Sequence, residues 1–104
     1  MENQFTKAMA DVLNERAAQS SREGFTTDHD DQHECMELAA AGACYAENAA
    51  IHREYDKTEE YECISAPPEW PWGGEWWKPK GCRQDLVRAA ALIIAEIERI
   101  DRQQ

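Results

Sequence analysis

No apolar run in this chain approaches the roughly 20 residues needed to span a bilayer. The opening Met1-Glu2-Asn3-Gln4 also lacks the basic and apolar regions of a secretory leader. These absences predict a cytosolic protein with no membrane partner. The four cysteines contain no Cys-x-x-Cys, which removes the usual thiolate zinc and redox motifs. Cys35 and Cys44, if on one helix, stand about 13 Å apart by helical rise, too far for a disulfide. With Cys63 and Cys82 they read as ordinary reduced thiols. Cations are scarce, 11 Lys and Arg against 21 Asp and Glu, and the formal net charge is -10. Sequence-independent binding to nucleic-acid phosphates draws on clustered Lys and Arg, so this balance argues against direct nucleic-acid binding while allowing a local nucleotide site. Internal repeats and low-complexity tails are missing too, and 104 residues suffice for a single domain with one modest core.

Three helices are expected, giving a mainly α fold: a small helical bundle with a long Trp/Pro/Gly-rich loop between helices two and three. The first covers about Gln4 to Arg22, where Phe5, Met9 and Val12 recur at helical spacing and Gly24 stops it. Extending that stripe reaches Arg16, Gln19 and Glu23, so a face that begins apolar ends polar. Either the helix leaves the core or a polar partner waits inside. The second helix runs from about Asp30 to Ala50, with Thr26, Thr27 and Asp28 as candidate caps. Its many alanines and Gly42 suit close approach of another helix. The third runs from about Arg83 to Arg102, where Leu86, Ala90, Ile93, Ile97 and Ile100 form a coiled-coil-like seam. Val87, Leu92 and Ile94 widen it, which an oligomer would explain. The charged stretch from 52 to 62 reads as a solvated helix extension or mobile loop within the inserted segment 52–82.

All four tryptophans fall within Trp70-Pro71-Trp72-Gly73-Gly74-Glu75-Trp76-Trp77, followed by Lys78-Pro79-Lys80. Prolines and glycines there rule out a regular helix or central strand. Indole faces can stack a base while Lys78, Lys80 or Arg83 meets a phosphate. The alternative is that the rings plug the core of a chain with only two phenylalanines. Trp70 and Trp72 suit that role better than Trp76 and Trp77, which adjoin the cations.

Asp28 to Glu37 is the densest run of potential ligands. On a helix, His29, His33 and Glu37 share a face suited to a transition metal, although the same run is also what an acidic helix start with exposed histidines looks like. Glu34-x-x-Glu37 and Glu98-x-x-Asp101 resemble the magnesium-binding pairs of the MazG-like all-α NTP pyrophosphohydrolases. That resemblance implies four carboxylates around a hard cation.

Glu15-Arg16-x-x-Gln19, Glu23-Gly24-Phe25-Thr26, His29-Asp30-Asp31, Glu37-Leu38-Ala39, Trp70-Pro71-Trp72, Trp76-Trp77-Lys78-Pro79 and Ala95-Glu96-Ile97-Glu98-Arg99 together resemble a family of small phage- and prophage-encoded proteins. The resemblance implies an origin and no particular activity. Arg16, Gly24-Phe25 and Asp30-Asp31 are similar, more loosely, to the RyR-type repeat, which implies adenine-nucleotide binding. The functional expectation is therefore a homo-oligomeric phage protein of the host cytoplasm that captures a nucleotide or nucleotide-derived immune signal without turnover. Its candidate binding residues are Arg16, Phe25, Asp30, Asp31, Trp72, Trp76, Trp77, Lys78, Lys80 and Arg83. No catalytic residue, metal or cofactor is assigned. A magnesium-dependent nucleotide pyrophosphohydrolase and an acidic inhibitor of a host defence complex are the alternatives.

Overall fold

A computed structural model describes residues 4–22 and 36–103. Its elements are α1 (Lys7–Arg22), α2 (Glu37–Ile51), a 3-10 turn (Arg53–Tyr55), α3 (Glu59–Glu62), a second 3-10 turn (Gly74–Trp76) and α4 (Cys82–Arg102), with no strand among the described residues. The fold is all-α. Its centre is α4, on which both α1 and α2 pack.

Small side chains set the distance between α2 and α4. Ala41 of α2 and Ala89, Ala91 and Ala95 of α4 are buried, with Leu38 and Leu92 among them. A Cβ at Gly42 would stand 3.0 Å from the Ala89 carbonyl oxygen and 3.2 Å from Ile93 Cγ1. Gly42→Ala gains up to about 1 kcal/mol of helix propensity, but crowding a packed backbone costs about 1–3 kcal/mol. A net loss of about 1 kcal/mol is expected in urea denaturation. An unchanged midpoint would show that the helices can separate freely.

Of the expected second helix, positions 30–35 lie outside the described residues. Met36 sits in the left-handed region with φ 59°, so a helix continuous from Asp30 is broken there and α2 starts at Glu37. Thr26, Thr27 and Asp28, the candidate caps, lie outside the described residues. The cap comes instead from α4: Glu96 Oε2 accepts the Ala39 N–H at 3.0 Å, placing a carboxylate at the positive end of the α2 dipole. Arg99 holds the other Glu96 oxygen and reaches Met36 Sδ at 3.2 Å.

Residues 52–62 are more than a solvated extension. Tyr61 on α3 is completely buried, and Asp56 Oδ1 accepts the Cys82 N–H at 2.9 Å, satisfying a free donor at the start of α4. Elsewhere in the segment the side chains are mostly exposed, as their charge dictates.

On α4 the inward face differs from the predicted seam. Leu86, Ile93 and Ile97 are exposed, whereas Asp85, Arg88, Leu92, Ala95 and Arg99 turn inward. Asp85, Ala89, Leu92, Glu96 and Arg99, the predicted seam displaced by one residue, are all buried, which corresponds to a rotation of about 100°. The α1 stripe departs in the same sense: Phe5 and Met9 are exposed and Val12 is half-buried, while Gln19 is only 2% exposed. Gln19 is therefore inside and Arg16 half-buried, against fraying at these positions, and Glu23 lies outside the described residues.

Candidate functional site

The tryptophan segment returns across α2 and α4, and its rings assemble around Tyr45. Trp77 stacks on Tyr45 with centroids 4.8 Å apart and planes 13° from parallel. Trp70 meets Tyr45, Trp72 and Trp77 edge-on at 5.4, 5.4 and 5.0 Å. Such offset and T-shaped pairs follow the quadrupoles of the rings. Three indole N–H groups have partners: Trp70 donates to the Gly73 carbonyl (3.1 Å), Trp72 to Glu37 (3.1 Å) and Trp77 to the Ile64 carbonyl (2.8 Å). Trp77 is 8% exposed and Trp76 is 43% exposed, so one is a core residue and the other is available at the surface.

Beneath the rings lies a polar network that composition does not advertise. The Arg88 guanidinium sits 4.3 Å over the Tyr45 ring. It donates to the Tyr45 hydroxyl at 2.7 Å, to the Lys78 carbonyl and to Asp85 at 3.4 Å. Asp85, with no exposed surface, accepts from the Tyr61 hydroxyl at 2.7 Å and from the Lys80 N–H at 3.1 Å. The Tyr45 hydroxyl in turn accepts the Lys78 N–H at 3.1 Å. The backbone of the lysine loop is thus pinned to α4 while both ammonium groups stay outside.

Burial pushes the Asp85 carboxyl above its ordinary range even though Tyr61, Lys80 and Arg88 pull the other way. Burial, then the hydrogen bond and charge of Asp85, drive the Tyr61 hydroxyl well above its ordinary value of 10.0. Because the folded value exceeds the unfolded one, the stability Tyr61 contributes is complete below pH 10.0 and is lost as pH rises toward the folded value. Urea midpoints measured from pH 9 to about 11 should fall more steeply for the native chain than for Tyr61→Phe. Parallel slopes would contradict this assignment.

The sequence-derived binding residues divide into groups. Trp72 and Trp76 border a common hollow with Gln19, Tyr45, Trp70 and Arg88, and the Lys78 ammonium stands 5.9 Å from the Trp76 ring centroid. Trp77 is committed to Tyr45, and the exposed side chain of Lys80 belongs to the same loop. Arg16 and Arg83 serve the contact between α1 and α4: Arg16 bonds Glu98 at 2.9 Å and Arg83 pairs with Asp11 at 3.0 Å. Phe25, Asp30 and Asp31 lie outside the described residues, as do His29, His33 and Glu34. Reading the sequence missed Tyr45, Asp85, Arg88 and Tyr61. One signal was present: Tyr45 is the only large residue in an otherwise small stretch of α2.

The hollow has a volume of about 10 Å³, room for about one water. The Gln19 Oε1 atom is buried without a partner among the described residues, and Gln19 borders that hollow. Among the described residues no three His, Cys, Asp or Glu side chains converge as a metal site, and no helix is long and apolar enough to cross a membrane. No protein-family model, curated protein or solved structure matches the chain.

Proposed function

We propose that this chain is a binding protein, not an enzyme, and that it captures a flat anion of nucleotide type at the Trp76 edge of the aromatic cluster. The observation that carries the reading is the exposed Trp76 ring with the Lys78 ammonium beside it, next to a hollow edged by Arg88. An indole face stacks a base, and the ammonium meets its phosphate. Since the hollow admits little more than water, the guest lies on the ring and across the Lys78-Pro79-Lys80 loop. Retaining a nucleotide-derived immune signal in this way is the action of a phage counter-defence sponge in the host cytoplasm. The exposed Leu86, Ile93 and Ile97 face of α4 suits assembly of identical copies, and light scattering of the purified protein tests that element separately.

Calorimetry against linear and cyclic nucleotides tests binding. Heat of association, reduced about tenfold or more by Trp76→Ala, supports the proposal, since one stacked base contributes about 1–3 kcal/mol. No heat with any nucleotide sinks it.

One observation favours the acidic-inhibitor reading as second. Among the described residues, five cations pair with carboxylates of the same chain, while Glu54, Glu59, Glu60 and Glu62 are exposed along 54–62. Docking through that edge would weaken steeply with salt. The pyrophosphohydrolase reading draws less support, because Glu37 accepts from Trp72 and Glu98 from Arg16. Magnesium-dependent release of pyrophosphate, abolished by Glu37→Gln, would restore it.

A further inference from the structure

A second cavity, away from the tryptophan cluster's exposed edge, has a different chemistry. It is a cleft of about 560 Å³ between α2 and the segment 64–69, within the range of small-molecule sites. Positions 40, 44, 47 and 51 form one stripe of α2, and Ala43, Ile64 and Pro67 line the cleft with them. The walls are mainly apolar, and the carboxyl groups on them are those of Glu47 and Glu69. Both are exposed, and neither forms an ion pair with a cation among the described residues. Their fields converge on the floor: the buried Cys44 thiol is pushed up first by burial and then by Glu69 and Glu47. His52 also borders the cleft, with Nδ1 held 3.3 Å from the Asn48 carbonyl.

We infer that this cleft binds a small organic ammonium ion with an apolar body, its charge between Glu47 and Glu69 and its hydrocarbon against Ile51, Ile64 and Pro67. Two carboxylates facing an apolar wall attract a cation and repel a phosphate, so this site is distinct from the one at Trp76 and does not depend on it.

Backbone amide resonances of the full chain, titrated with phenethylammonium and with neutral phenethyl alcohol, test the assignment. The amine should saturate, with shifts centred on residues 40–51 and 64–69, and bind more tightly than the alcohol. Combining Glu47→Gln with Glu69→Gln should weaken the amine about fivefold to tenfold and leave the alcohol unchanged, because each partly exposed pair contributes up to about 1 kcal/mol. Ile51→Ala should weaken both probes, and Trp76→Ala neither. Absence of saturation, equal affinity for amine and alcohol, or shifts centred on Trp76 would each overturn the inference.

Discussion

Replacing Asp85 by Ala should lower the free energy of unfolding by about 3–5 kcal/mol, the cost of leaving one partner of a buried ion pair uncompensated. For a domain with about 5–15 kcal/mol in total, that is a large fraction. The reason is the number of groups that converge on this carboxylate. Tyr61 brings α3 to it, the Lys80 N–H brings the lysine loop, and Arg88 bridges it to Tyr45. Removal strands the Tyr61 hydroxyl and the Lys80 N–H and leaves Arg88, a residue only 7% exposed, without its counter-charge. Urea denaturation followed by tryptophan fluorescence measures the loss. Asp85→Asn, which keeps one acceptor oxygen, turns the other into an amide donor and removes the charge, should fall between the native chain and Asp85→Ala. A companion Arg88→Met change should recover part of the loss, because an apolar replacement of both partners avoids the desolvation of either. A loss below about 1 kcal/mol for Asp85→Ala would show that the network is incidental.

The second large effect separates two neighbouring tryptophans. Trp77→Ala should destabilise by about 3–5 kcal/mol, the usual cost of truncating a buried large aromatic, because its ring stacks on Tyr45 and its N–H bonds Ile64. Trp76→Ala should change stability by less than about 1 kcal/mol, since the side chain is exposed, and should instead weaken nucleotide binding about tenfold or more. The same denaturation series and the calorimetric panel measure both. If the two variants behaved alike in stability, the division of the segment into core and surface would fail. A loss of ligand binding in Trp77→Ala carries no information about stacking, since the packing that holds the loop is disturbed too. Trp76 is therefore the position that reports on the proposed guest.

Much of the fold follows from local patterns. Helical spacing and alanine content place α1, the body of α2 and α4 within a few residues of their observed limits, because backbone propensity and period act over single turns. Prolines and glycines keep residues 63–81 out of any long helix for the same local reason. The candidate site was legible only in part. Trp76 and Lys78 do meet, being neighbours in the chain. Trp77 could not be told from Trp76 by composition, because which ring turns inward depends on where Tyr45 stands, 32 residues away in sequence by their numbers.

What the chain determined alone is its class: acidic, all-α, one domain's worth of residues, with an aromatic loop that no regular element can hold. The tertiary structure decided which faces are inside. On α4 the buried stripe begins with Asp85 and Arg88 and ends with Glu96 and Arg99, so hydrophobicity points to the wrong side of the helix. Those charges are tolerated inside because partners from other elements meet them: Tyr45, Tyr61 and the Lys78–Lys80 backbone at one end, the Ala39 N–H and Met36 at the other. A buried charge is stable only with its partners in place, and such partners are distant in sequence and adjacent only after folding.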